Sequence, residues 1–449
     1  MTVITAPRVG ALRPFAPPRI SRMRLANGLD LLVVTKSGLP VIDVQLVVRG
    51  GAVLDAPAKS GRASLTAELV DEGTDRYSAL EISDQVELLG ADLELRAGWD
   101  ACFASCHGLS GRLAEMLDLL GEIVLRPRFP EDEFRRKHQE RLHQLAQERD
   151  EPRLVAVKTL NRVVFGDDHP FGKPLSGTAA TVASLDRSSL LEYYASGFVP
   201  SNAHLVIVGD ITPDRALNLA EKTFGQWLRA AVPERDWSGV VTRPRATKLV
   251  DKPGAAQSEV RVGHVGPSRG TPDYYALQVL NTILGGSFKS RLNMTLRERK
   301  GFTYGANSTL ALRRNGGLFS AGAAVFTDHT AETIAITVHE IDRIREEPVT
   351  TEEIERARQY LALGFMRHFE TTSEIAAHLA ELALYDLPDS YLQEYPVQIA
   401  EVSRAAVSAV AQRHLRPEQL AIVVVGDRAR VHEPIEAIGL GPIDVWEAE

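Results

Sequence analysis

Three stretches of this sequence recur at almost one offset, and that repetition constrains the fold more than any local pattern does. "LVIVGD" (Leu205–Asp210) returns as "VVVGD" (Val423–Asp427), an offset of 427 − 210 = 217 residues. "LELRAGWD" (Leu93–Asp100) returns as "LALRRNGG" (Leu310–Gly317), where 313 − 96 is again 217. "FPEDEFRRK" parallels "VTTEEIERA", Phe134 standing against Ile354 at an offset of 354 − 134 = 220. A period of this length is far beyond a solenoid unit. The chain reads as two homologous halves of one fold, and its 449 residues are enough for each half to bury a core.

The stretch from Arg229 to Lys248 has the Pro, Gly and charge content of an interdomain linker. The expected division is an N-terminal arm at 1–20, a first domain at 21–232, a linker at 233–248 and a second domain at 249–449. The halves share one order of elements. "LANGLDLLVVTKSGLPVIDVQLVVRGG" suggests an opening hairpin, followed by a helix, a strand pair, several helices and a closing strand, "AHLVIVGD" or "LAIVVVGD". Leu113, Met116, Leu117 and Leu120 recur at helical spacing in "SGRLAEMLDLLGEIVLR". The expected class is α+β: in each domain an antiparallel sheet with helices packed on one face.

A formal charge of −8 argues against a general nucleic-acid or anionic-membrane binder, which needs a basic footprint. No apolar run approaches the roughly 20 residues of a membrane span. The Pro-rich N-terminus has no uninterrupted apolar core of a secretory signal, so a cytoplasmic location is expected. Cys102 and Cys106 give no disulfide framework and suit small core residues; in a strand they share a face while His107 points to the other. His169 precedes a proline in "DDHPFG" and suits a turn. No phosphate loop, dinucleotide fingerprint or nucleophile–base order stands out.

"SGRASLTAELVDEGT" (Ser60–Thr74) reads as a short helix stopped by Gly73, with Ser64 and Glu68 four apart on one face. "SRLNMTLRERKG" reads as a helix ending at Gly301, and "FTYGANSTLALRRNGGLFSAGAAVF" as a hairpin turning at Asn315-Gly316. On the residues alone, Arg297 suits a solvated helix end and Tyr304 a strand residue packed on it.

Taken in order, these motifs resemble the pitrilysin/insulinase family of inverse zincins, in particular its short bacterial members related to the mitochondrial processing peptidase. The likeness runs from "LANGLDLLVV" to "AIVVVGD" and includes "VVFGDDHPFGKPLSGT" and "LGGSFKSRLNMTLRERKGFTYG". In that family the first helix carries His-x-x-Glu-His, whose imidazoles bind zinc while the glutamate activates water. At those positions this chain has Ser64, Ala67 and Glu68. The family's later glutamate ligand falls near Gln144, so the ligands and the base are all replaced. The resemblance further implies that Arg297 and Tyr304, seven apart, hold the substrate backbone and donate to the tetrahedral oxyanion. It implies a non-metal subunit with no cofactor of its own, completing a composite site on a homologous partner chain that carries zinc, in a heterodimer cleaving peptides or unfolded polypeptides. Edge strands would take the extended peptide. The alternative is a non-catalytic scaffold or peptide-binding protein of the same fold.

Overall fold

A computed structural model describes residues 15–232, 239 and 242–447. Most of the expected arm (1–14) and part of the expected linker (233–238, 240 and 241) lie outside the described residues.

Each half builds one six-stranded sheet. The first contains β1 (Ser21–Arg24), β2 (Asp30–Thr35), β3 (Val41–Arg49), β4 (Asp92–Ala97), β5 (Ala101–Leu109) and β6 (Ala203–Gly209), in the order β1-β2-β6-β3-β5-β4. The second contains β7 (Ala246–Asp251), β8 (Gln257–Gly266), β9 (Ala306–Arg313), β10 (Gly316–Phe326), β11 (Ala421–Gly426) and β12 (Ile443–Trp446), in the order β12-β7-β11-β8-β10-β9. Strand β7 starts at Ala246, so the second domain begins inside the stretch read as linker.

The α+β class holds, but the sheets are mixed. β6 runs parallel to β2 and antiparallel to β3, and β11 repeats this between β7 and β8. The expected opening hairpin is therefore not one, because the closing strand of each half inserts between the first two long strands. Every residue of β6 and of β11 is buried, which is what continuous apolar runs such as "AHLVIVG" and "AIVVVG" require.

Seven of the helices matter for the packing and the site described below: α1 (Arg62–Ala67), α2 (Leu113–Leu125), α3 (Glu131–Glu148), α4 (Pro152–Phe165), α5 (Pro213–Phe224), α6 (Thr351–Arg367) and α7 (Thr372–Leu384). Successive strand residues point to opposite faces. Leu31, Val33, Leu205 and Ile207 of the first sheet pack on Leu113, Leu117 and Leu120 of α2 and on Phe224 of α5. Their neighbours Leu32, Val34, Val206 and Val208 point the other way, into the core that holds Ile375, Leu379 and Leu382 of α7. The second sheet reciprocates: Val423 and Val425 share a core with Val155, Leu160 and Val164 of α4. Each half thus covers the second face of the other's sheet with one helix, where the sequence suggested helices on one face only.

The repeat-related turns "AGWD" and "RRNG" meet between the halves. Asp100 accepts hydrogen bonds from Arg314 N (3.0 Å) and Tyr385 Oη (2.9 Å). The buried Arg313 guanidinium lies over Trp99 (4.5 Å) and Phe171 (4.3 Å), and burial pushes its pKa down to about 10. The β9–β10 turn residues are Arg314 and Asn315, one position earlier than expected, and Gly316 takes the positive φ of 131°. At the other end of the chain Phe15 packs on Phe369 of the second half, with ring centroids 4.9 Å apart.

Candidate functional site

The first candidate residues lie on α1. Gly61 leads into the helix at φ 93°, and Asp55 accepts from Ala63 N at 3.0 Å and from Arg62 Nε at 3.2 Å. Burial raises the Asp55 carboxyl to about 6. The helix ends at Ala67, six residues before Gly73, and Glu68 is its C-cap. Gly73, at φ 142°, instead pairs as an isolated bridge with Ser78.

Between Ser64 and Glu68 sits a guanidinium. Arg141 of α3 is buried; both its terminal nitrogens donate to Ser64 Oγ at 3.2 Å, and one donates to Ser176 O at 3.0 Å. It also forms an ion pair with Glu68. Ala67 is buried and offers no base. Gln144 does not face this cradle: it donates to Glu148 Oε1 at 3.0 Å on the exposed side of α3. The pattern Phe134, His138, Arg141, Leu145 is the inward stripe of α3, and the i, i+4, i+7 spacing would have flagged Arg141.

This donor set does not fit zinc. A hydroxyl, one carboxylate and a fixed cation are the wrong ligands and the wrong charge for a site that elsewhere uses neutral imidazoles and carboxylates. Among the described residues no cluster of three or more His, Cys, Asp or Glu has metal-holding geometry. Cys102 and Cys106 are buried on β5, and burial pushes both thiols up to about 12. His107, on the opposite face, has Nδ1 3.0 Å from Asp43 Oδ2. His169 is a buried turn residue whose Nδ1 accepts from Phe171 N at 3.1 Å.

The second group lies in the other half. Residues Asn293–Arg299 form a π-helical turn, in which Lys300 N donates to Thr295 O at 3.1 Å, five residues back. A second such turn spans Thr282–Gly286. Wide turns of this kind concentrate at functional sites. Gly301, at φ 68°, ends the element by taking a conformation few other residues tolerate. The Arg297 side chain is about one-third exposed, with Nε 3.7 Å from Glu298 Oε1 and Cζ 4.0 Å over the Phe288 ring. Tyr304 is 92% exposed and makes no hydrogen bond to the described residues. Its backbone is nevertheless pinned: Gly305 N donates to Thr303 Oγ1 (3.1 Å), and the buried Asn293 bonds both Ala306 N (3.0 Å) and Ala306 O (2.7 Å). The structure therefore brings Ser64 and Glu68 together around Arg141, and keeps Arg297 and Tyr304 apart from them in the second half.

Residues 32–179 match the family profile described as insulinase (peptidase family M16), and residues 184–361 match the one described as peptidase M16 inactive domain. An uncharacterized zinc protease of Mycobacterium tuberculosis is 26% identical over 94% of this chain and 96% of its own length. A Bacillus subtilis protein with the same description is 23% identical over 90% and 98%. A crystal structure of a peptidase M16 inactive domain from Pseudomonas fluorescens superposes with a TM-score of 0.85 at 25% identity, over 91% of this chain and 98% of that one. A protease from Helicobacter pylori shares the fold, with a TM-score of 0.84 at 20% identity over 91% and 99%. The chain belongs to the M16 peptidase family and lacks that family's zinc motif. Among the described residues no helix is long and apolar enough to cross a membrane.

Proposed function

We propose that this chain is the non-zinc subunit of a two-chain M16 peptidase. A homologous partner bearing the His-x-x-Glu-His helix brings the metal chemistry, and this chain brings Arg297 and Tyr304. The observation that carries the reading is Tyr304: a phenol 92% exposed, its hydroxyl without a hydrogen bond among the described residues, on a turn tied down at Ala306 by Asn293. A phenol hydroxyl that no other group uses is available to donate to the charge that develops on the scissile carbonyl oxygen. The Arg297 guanidinium adds fork-shaped donors for the substrate backbone. The edge strands β4 and β9, each last in its sheet, offer backbone groups to an extended polypeptide.

The test is to assay this chain, a zinc-bearing family member from the same source, and their mixture on an unstructured peptide. Activity is expected only in the mixture. Tyr304→Phe should lower its kcat on the order of 100- to 1000-fold, as loss of one oxyanion donor does, with the thermal melt unchanged. A fully active Tyr304→Phe complex would reject the reading in favour of a non-catalytic scaffold. Chelator-resistant activity of this chain alone would reject both.

A further inference from the structure

Tyr304 is 92% exposed and makes no hydrogen bond to the described residues, so the backbone on either side decides where its phenol stands. The bond from Gly305 N to Thr303 Oγ1 only closes the turn on itself. Two residues before Tyr304, Phe302 is buried; its ring stacks on that of His329, centroids 3.9 Å apart, and its N donates to Leu296 O at 2.9 Å. Two residues after Tyr304, Ala306 opens β9 opposite Ala323 of β10, and both its backbone groups go to one side chain. The buried Asn293 accepts from Ala306 N at 3.0 Å and donates from Nδ2 to Ala306 O at 2.7 Å, to Ser287 O at 3.1 Å and to Ser290 Oγ at 3.2 Å. An amide carries the acceptor and the two N–H bonds that this needs side by side, and only one orientation of it serves Ala306 N and both carbonyls. Asn293 is also the first residue of the π-helical turn that carries Arg297.

We infer that Asn293 is a positioning residue of the composite site: its amide ties the start of β9 to the turn bearing Arg297, and so sets where Tyr304 stands relative to that guanidinium. This rests on the reading of Arg297 as a substrate anchor and of Tyr304 as an oxyanion donor. With Ala306 released, Tyr304 is held on one side only, from Phe302. Asn293 is itself buried, so its effect passes through the phenol. A donor to the developing oxyanion acts in the transition state and not in the bound substrate. Its misplacement therefore lowers kcat and leaves KM nearly unchanged. A displacement of about 1 Å costs on the order of 100-fold.

The experiment measures kcat and KM of the reconstituted complex, isolated by gel filtration, with and without Asn293→Asp, each in the parent and in the Tyr304→Phe background. Asn293→Asp keeps the shape and the acceptor for Ala306 N but turns a carboxylate oxygen toward the Ala306 and Ser287 carbonyls. It is expected to lower kcat about 100-fold in the parent background. Once Tyr304→Phe has removed the hydroxyl it should add little, because groups that act through one another are not additive. Asn293→Ser, which drops the amide without adding charge, should behave alike. Equal losses in both backgrounds, an unchanged kcat, or a loss confined to KM overturns the inference. The Arg297/Tyr304 reading then still stands if Tyr304→Phe alone lowers turnover. If neither Asn293 variant assembles with the partner, the amide serves the fold and the inference falls. If Tyr304→Phe is fully active, or no zinc-bearing partner yields activity, the underlying reading falls and this inference with it.

Discussion

Replacing Glu68 with Gln tests whether the Arg141 guanidinium clamps α1 to α3. The Arg141 side chain is 4% exposed and that of Glu68 is 36% exposed. Glu68→Gln keeps the shape and an acceptor but leaves a buried cation with neutral partners only: Ser64 Oγ and Ser176 O. Removing one partner of a buried ion pair costs about 3–5 kcal/mol. The exposure of Glu68 lets water reach the vacated side, so the expected value is the low end, about 3 kcal/mol. Because the two halves share their cores, the unfolding unit is the whole chain of 449 residues, and the Tm falls by roughly 3 °C. Arg141→Met removes the cation itself, and the pair Glu68→Gln with Arg141→Met should be little worse than Arg141→Met alone, because the two groups act as one. The measurement is urea unfolding followed by tryptophan fluorescence, comparing midpoints at constant slope. Zinc added to the parent should leave its Tm unchanged, since a ligand stabilises only where it binds the native state. A Glu68→Gln variant within about 0.5 kcal/mol of the parent, the usual range for surface changes, would refute the clamp.

Arg291 and Glu353 form a two-pronged ion pair at 2.7 and 3.1 Å, and Glu353 also closes the capping box of α6 with Thr350. Although burial opposes it, these partners hold the Glu353 carboxyl at about 2, below its usual 4.5. Its contribution is therefore present above pH 4.5 and lost as pH falls through 2. Glu353→Gln should cost on the order of 3 kcal/mol at neutral pH and nothing near pH 2, checked by denaturant midpoints across that range. Cys102 and Cys106, buried with thiols near 12, should resist a thiol reagent at about pH 8 and react once urea unfolds the chain. Gly285→Ala should destabilise by about 1–3 kcal/mol, because its Cβ meets the Ser308 backbone of β9; an unchanged melt would show that β9 yields.

The twofold plan of the chain was legible because equivalent segments keep their chemistry at one offset. Sheet neighbours were not: β2 and β3 are close in sequence but are separated by β6 in space, and nothing local to "LANGLDLLVVTKSGLP" announces a strand arriving from residue 203. Gly73 misled for a related reason. Its positive φ serves a bridge to Ser78, and the helix had already ended at Ala67. Arg141 escaped because an arginine in a charged helix such as "EFRRKHQERLHQ" reads as solvated, and only the phase of the inward stripe sets it apart. Arg297 and Tyr304 were found through the resemblance, while Phe288, in the same stretch of sequence, carries no pattern of its own; its exposure and its stacking are properties of the folded loop.

The exchange of α4 and α7 between the halves bears on ancestry. A single half, cut from the other, would leave one face of its sheet bare, with Val206 and Val208, or Val423 and Val425, open to water. A half with that apolar face bare would be expected to cover it, and a second copy lending its helix would do so. The present chain has the plan that fusion of two such copies would give, with the corresponding turns meeting between the halves where Arg314 N donates to Asp100. Within one chain the two halves are free to differ: one holds an arginine between Ser64 and Glu68, and the other the exposed Tyr304.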